Sequence, residues 1–234
     1  MPVVALVLAG GTGTRMGRPK QFLDLLGFPA LLYSLRAFEE CPEVARVYAV
    51  GDGVRVKELV GEAGFSKYAG CALPGEARSL STKNGLELLS HEPPETIVLI
   101  HDGSRCLLTP DLIGRIIDAA LVEGVDGVIP AVPVSDTIKV AENGAVKETL
   151  DRSRLHAVQT PQAFPLGVLR EVYGAPEESL RVATDDASLV ETSGGRVVVV
   201  QGEKTNMKLT EPADLILAEA ILGARFGLHR GTRN

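Results

Sequence analysis

Val3-Val4-Ala5-Leu6-Val7-Leu8-Ala9-Gly10-Gly11-Thr12-Gly13-Thr14-Arg15-Met16-Gly17-Arg18-Pro19-Lys20-Gln21 opens with an unbroken apolar run, then a glycine cluster, then cations. A short apolar run bounded by glycine reads as a strand buried on both faces, which is what a parallel sheet covered by helices requires. The glycines let backbone N–H groups approach a polyphosphate, while Arg15 and Lys20 can neutralise charge that gathers on a departing group. Strand, loop and cations together indicate phosphate chemistry, whereas a glycine cluster alone is equally a tight turn.

Two commoner phosphate motifs fail on spacing. A dinucleotide fingerprint needs G-x-G-x-x-G, but Gly11, Gly13 and Gly17 leave three residues in the second gap, and no acidic residue ends a second strand about 20 positions on. A P-loop needs Gly-Lys before Ser or Thr, whereas Lys20 follows Pro19.

Further strand-like runs at 44–50, 96–100 and 127–132 alternate with helical spacing in Leu31, Leu32, Leu35 and Phe38, in Leu86 and Leu89, and in Leu112, Ile116, Ile117 and Ala120. The alternation predicts an α/β fold, a Rossmann-like, mostly parallel sheet with helices on both faces and ligands at the strands' C-terminal ends. One segment departs from it. Asp136-Thr137-Ile138-Lys139-Val140 and Ala145-Val146-Lys147-Glu148-Thr149 flank Glu142-Asn143-Gly144, and Asn-Gly accepts positive φ, so a hairpin is predicted. It gives a protruding β-arm at about 135–159, embedded in a single domain of 1–234. Helical spacing returns in Ala213, Leu215, Ile216, Ala218, Ile221 and Leu222, and 227–234 reads as a frayed end.

With 45% apolar content in 234 residues, the chain can bury a substantial core without dividing. It has no apolar run of about 18 residues to span a bilayer, and it begins on a strand pattern instead of a basic leader, so a cytoplasmic protein with no membrane partner is expected. A net charge of -6 without a basic stripe, and the absence of Trp, argue against a nucleic-acid partner. Cys41, Cys71 and Cys106 fit neither a disulfide framework nor a zinc site, so free thiols are expected.

The glycine loop, completed by Pro19-Lys20-Gln21, resembles the nucleotide-binding loop of nucleotidyltransferases that make activated sugars. Later stretches narrow the resemblance: Gly75-Glu76-Ala77-Arg78-Ser79-Leu80-Ser81, His101-Asp102 through Arg105, Asp136-Thr137-Ile138-Lys139, Asp151-Arg152, Thr160-Pro161-Gln162, Thr184-Asp185-Asp186-Ala187 and Asn206-Met207-Lys208. In that order, and over nearly the whole chain, they are similar to the 2-C-methyl-D-erythritol 4-phosphate cytidylyltransferases of the non-mevalonate isoprenoid pathway. The resemblance implies transfer of CMP from CTP to that polyol phosphate. It places Arg15 and Lys20 at the transition state, and Arg152 and Lys208 on the phosphate of the incoming polyol. Ala9, Gly10, Gly11, Gly13, Gly75, Glu76 and Ser81 would contact the nucleotide, with Arg78 steadying their loop. Asp102, Arg105, Asp136 and Thr137 would face the polyol. It also implies Mg2+ held mainly by the CTP phosphates, with Asp102 the one side chain placed to join it, and a homodimer formed by arm exchange.

The family usually carries two alanines and a proline around Asp102 and Arg105, where this chain has Gly103, Ser104 and Cys106, and the change sets a thiol near a polar cleft. Structural roles compete with the functional ones. Asp102 reads also as a helix N-cap, His101 as a core residue, Arg152 as an arm ion pair with Glu148 or Asp151, and Lys208 as a solvated strand end. Asp185 and Asp186 read as the cap and first-turn charge of a helix. Ribitol 5-phosphate cytidylyltransferase is the alternative enzyme, disfavoured by the short Gly17-Arg18-Pro19 stretch before Lys20. A non-catalytic sugar-nucleotide sensor is the alternative of a different class, and it has no use for leaving-group cations.

Overall fold

A computed structural model of the chain describes residues 1–11, 13, 17 and 19–227. Thr12, Thr14, Arg15, Met16, Arg18 and 228–234 lie outside the described residues, and with them the role expected of Arg15 and most of the expected frayed end. In chain order, β1 (Val3–Leu8), the short pair β2 (Asp24–Leu25) and β3 (Phe28–Pro29), α1 (Ala30–Glu40), β4 (Arg46–Val50), α2 (Gly53–Glu62), β5 (Tyr68–Ala72), α3 (Arg78–Glu87), β6 (Ile97–Asp102), α4 (Pro110–Ala120) and β7 (Gly127–Pro133) form the first part. The hairpin β8 (Lys139–Glu142) and β9 (Ala145–Thr149) follows, then β10 (His156–Val158), β11 (Gln162–Pro165), α5 (Leu166–Val172), α6 (Glu177–Arg181), α7 (Asp186–Thr192), β12 (Val197–Gln201) and α8 (Pro212–Phe226).

The main sheet runs β10-β7-β11-β6-β1-β4-β5, and β12 also pairs with β7. The pairs β1–β4, β1–β6, β4–β5 and β7–β12 are parallel, while β11 enters antiparallel between β6 and β7. From β1 the chain builds outward through β4 and β5, then returns to β6 on the other edge of β1. The ends of β1 and β6 therefore flank the topological switch point, where open α/β sheets bind ligands.

Alternation along the strands produces the layers. Val3, Ala5, Val7, Ile97 and Leu99 pack with Leu31, Leu35 and Phe38 of α1, Val56 and Val60 of α2, and Ile113, Ile116 and Ile117 of α4. Val4, Leu6, Val98 and Ile100 face the other way, against Leu80 and Leu86 of α3, Leu169 of α5 and Val190 of α7. Side-chain caps start three of these helices: Asp52 accepts from Val54 and Arg55 N–H groups, Thr109 accepts from Leu112 N–H, and Asp185 accepts from Ser188 N–H, the cap expected of it. A third cluster of Leu25, Tyr33, Cys106, Leu107, Leu209, Ala218 and Leu222 seats α8. The Cys106 thiol is thus a core group, not a neighbour of the polar cleft, and burial pushes its pKa up to about 12.

The hairpin forms a two-stranded sheet of its own, with Asn143 at φ 50° and Gly144 at φ 78°, the pair of positive angles that a tight I′ turn requires. Every residue of β8 and β9 is exposed. The arm is shorter than 135–159 on its C-terminal side. His156–Val158 pairs antiparallel with β7, and Gln159 is buried, because that stretch completes the edge of the main sheet. No helix among the described residues is long and apolar enough to cross a membrane.

Candidate active site

The glycine loop leaves β1 pinned to β4, since Ala9 N–H donates to the Val50 carbonyl at 2.7 Å. Gly10 then passes so close to Pro74 that a Cβ there would lie 2.3 Å from the proline Cβ, a contact only glycine avoids. Gln21, buried on the 3-10 turn Lys20–Phe22, donates to the carbonyls of Ala9 (2.6 Å) and Gly11 (3.0 Å) and holds the loop from beneath. Beside it, Lys20 Nζ donates to the Leu209 carbonyl at 3.1 Å, tying this turn to the segment that carries Lys208.

Asp102 ends β6 opposite Leu8 of β1, so the register itself brings it to the mouth of the loop. Its two carboxylate oxygens are divided: Oδ1 accepts from Arg78 Nε at 2.9 Å, and Oδ2 accepts from Lys208 Nζ at 2.7 Å. Arg78, the first residue of α3, reaches the other way with Nη1 to Asp186 Oδ2 at 2.7 Å. Asp186 also accepts from Tyr173 Oη at 2.5 Å and from Thr82 Oγ1 at 3.1 Å. Burial alone would raise the Asp102 pKa, but the charges of Arg78 and Lys208 hold it well below the usual carboxylate range. Burial likewise opposes the charge on Arg78, and Asp186 and Asp102 more than compensate, so its pKa is raised. Asp102 is therefore a shared counter-ion, not a helix cap, and Lys208 is paired, not simply solvated.

A neutral histidine supports this end of β6. The Arg105 carbonyl can only accept, so His101 Nε2 carries the proton towards it (3.2 Å), and Nδ1 accepts from the Thr160 hydroxyl (3.1 Å). Thr160 Oγ1 in turn accepts from Asp102 N–H at 3.0 Å. Burial lowers the His101 pKa to about 3, consistent with its expected structural role. Arg105 donates to the carbonyls of Asn206 (2.9 Å) and Val158 (3.3 Å), and Asn206 Nδ2 donates to the Thr160 carbonyl at 2.9 Å.

A cavity of about 460 Å³ joins these parts, within the size range of small-ligand sites. Gly10, Gly11, Gly13, Gly75, Glu76, Arg78 and Ser81 line it, as do Lys20, Asp102 and Lys208. Ala9 is buried and is not part of the lining. Arg105 lines a neighbouring cavity that shares Arg78, Asp102 and Lys208. Asp136, Thr137 and Arg152 line neither cavity. Arg152 donates to the Ser135 carbonyl at 2.9 Å, and Asp151 accepts from Ser153 N–H at 3.0 Å, so neither makes the ion pair that the sequence allowed. Gln21 and Ser104, to which sequence reasoning gave no site role, also line the 460 Å³ cavity. Among the described residues no group of three or more His, Cys, Asp or Glu is placed to hold a metal ion, and both Asp102 oxygens already face cations.

Residues 3–224 match the family model described as 2-C-methyl-D-erythritol 4-phosphate cytidylyltransferase (IspD). The chain belongs to this family. A cytidylyltransferase of that name from Rubrobacter xylanophilus is 64% identical over 230 residues, covering 98% of each chain. One from Geobacillus kaustophilus is 42% identical, covering 95% of this chain and 97% of the other. Among solved structures, a 4-diphosphocytidyl-2C-methyl-D-erythritol synthase superposes with a TM-score of 0.80 at 30% identity, covering 94% of this chain and 98% of that one. The cytidylyltransferase from Thermus thermophilus superposes at 0.75 with 32% identity and the same coverage. Where this cytidylyltransferase-family chain departs from the usual alanines and proline, backbone hydrogen bonds hold the segment. Gly103 N–H donates to the Leu8 carbonyl, and the Ser104 carbonyl accepts from Leu209 N–H, each at 2.9 Å.

Proposed function

We propose that this chain transfers the cytidylyl group of CTP to 2-C-methyl-D-erythritol 4-phosphate, giving 4-diphosphocytidyl-2-C-methyl-D-erythritol and pyrophosphate. The observation that carries the reading is one cavity walled by the glycine loop and the 75–81 turn and bordered by three cations, Lys20, Arg78 and Lys208. A phosphate oxygen of the polyol attacks the α-phosphorus of CTP, the bond to the α–β bridging oxygen breaks, and pyrophosphate leaves with the electron pair. The attacking phosphate is already an anion, so the protein supplies alignment and charge instead of a base. Lys20, with Arg15 on the same loop, offsets charge on the leaving group, and Lys208 orients the incoming phosphate. Mg2+, held mainly by the CTP phosphates, would offset triphosphate charge.

The second part of the reading is a homodimer in which each arm brings Thr137 and Arg152 to the partner's cavity. It is supported by the exposed hairpin and by the placement of both residues outside the two cavities described above. Pyrophosphate release from CTP with 2-C-methyl-D-erythritol 4-phosphate, run beside ribitol 5-phosphate, tests the activity. A larger kcat/KM with ribitol 5-phosphate would assign the other polyol, and tight CTP binding without release from either would assign a sensor.

A further inference from the structure

Asp186 has no part in the mechanism above, yet it is fully buried and ties three elements to the site. Thr82 lies one turn after Arg78 on α3, and Tyr173 stands just past α5. Their hydroxyls both donate to Oδ1, which leaves Oδ2 for the Arg78 guanidinium. Turning the carboxylate would break at least one of these bonds, and a buried carboxylate left short of partners is costly. A guanidinium facing a single carboxylate prefers to take both of its oxygens in a forked contact. Here Arg78 gives Nη1 to Asp186 and only Nε to Asp102, so the second oxygen of Asp102 is left for Lys208.

We propose that Asp186, seated by Tyr173 and Thr82, is a positioning residue: by holding Arg78 it reserves one oxygen of Asp102 for Lys208 and so sets the Lys208 ammonium in the cavity. The kinetic part of this inference rests on the activity proposed above. Asp186→Asn should lower kcat/KM for the polyol phosphate roughly tenfold, the scale of coupling within one hydrogen-bonded network, while the KM for CTP stays within about twofold. Tyr173→Phe, which keeps the carboxylate, should move the same parameter in the same direction by less. In a Lys208→Gln background either substitution should have little further effect, because the group being positioned is gone. A merely structural role would instead depress both substrates' parameters alike and add in full to Lys208→Gln.

A second measurement needs no substrate. An ammonium freed from its carboxylate acylates faster, so acetic anhydride labelling of Lys208, followed by peptide mass spectrometry with exposed Lys57 as the internal reference, should quicken in Asp186→Asn. If that variant does not fold, Tyr173→Phe carries both measurements. Unchanged Lys208 labelling, or fully additive kinetics, overturns the inference. Lack of polyol turnover by the wild-type protein overturns the functional reading instead, and the labelling result then decides the inference by itself.

Discussion

Lys20 sits on a turn whose neighbour Gln21 holds the glycine loop, so Lys20→Ala removes a charge while leaving the loop's anchor in place. If that charge acts as proposed, when pyrophosphate departs, kcat should fall on the order of a hundredfold, by analogy with removal of one oxyanion donor, with a much smaller change in the KM for CTP. Steady-state kinetics decide it, and a near-normal kcat would remove Lys20 from the leaving group. His101 yields a pH prediction. Its folded-state pKa of about 3 lies below the ordinary value near 6.5, so between those values the unfolded chain binds a proton that the fold excludes. The stabilising contribution is complete above about pH 6.5 and declines as pH falls towards 3, by at most about 1.4 kcal/mol per pH unit. Asp102, held below the usual carboxylate range, adds its own loss under more acid conditions. Denaturant melts across this window should show a shallower decline in His101→Gln than in the wild type, and equal slopes would point to another group. The glycine loop and Lys20 were legible because glycine and lysine leave a chemical signature in the chain, whereas Gly75, Glu76, Arg78, Ser81, Asp102 and Lys208 were reached only through the family resemblance. Asp186 was legible only as a helix start, since its bond to Arg78 spans 108 positions and depends on the finished sheet.

Secondary structure shows the same division between local and long-range signals. α1 and α4 follow directly from apolar residues at helical spacing, and the hairpin follows from Asn143-Gly144, because each pattern is complete within a few residues. β5 has the composition Tyr-Ala-Gly-Cys-Ala and becomes a strand through pairing with β4, while β11 is four residues made a strand by insertion between β6 and β7. Neither carries a period of its own. β12 is different, for the run Val197 to Val200 has plain strand chemistry and simply lies beyond the pattern read above. The hairpin gives this level its test. Valine at position 144 would force a β-branched residue into a left-handed conformation, φ 78° in the structure, and the strain should fall on the arm alone because β8 and β9 share no pairing with the main sheet. Gly144→Val should therefore leave the main thermal transition within a few degrees of wild type while activity drops several-fold. An unchanged activity would mean that the arm has no part in turnover.

The whole molecule poses the question that one chain leaves to its assembly. Lys20 and Lys208 line the cavity between the glycine loop and the 75–81 turn, whereas Thr137 and Arg152 stand outside it and outside its neighbour, beside a two-stranded hairpin that is exposed on every residue. A pair of strands without further support is marginal in water, and its open edges invite pairing with another surface. If the supporting surface is a second copy, two-fold symmetry makes the exchange reciprocal, and each site then combines the loop of one subunit with the arm of the other. The consequence can be calculated for mixed subunits. Lys20→Ala impairs the loop side and Arg152→Ala impairs the arm side, so each pure variant has a defect at every site. In a heterodimer one site collects both defects and the other is intact. Random exchange of equal amounts makes about half of the dimers mixed, so about a quarter of all sites should be wild type in composition, and activity should recover to roughly that fraction. The measurement is pyrophosphate release before and after exchange, with heterodimer formation followed by differently tagged subunits. Verified heterodimers with no recovery, or full activity in a proven monomer, would show that Arg152 serves its own chain or none.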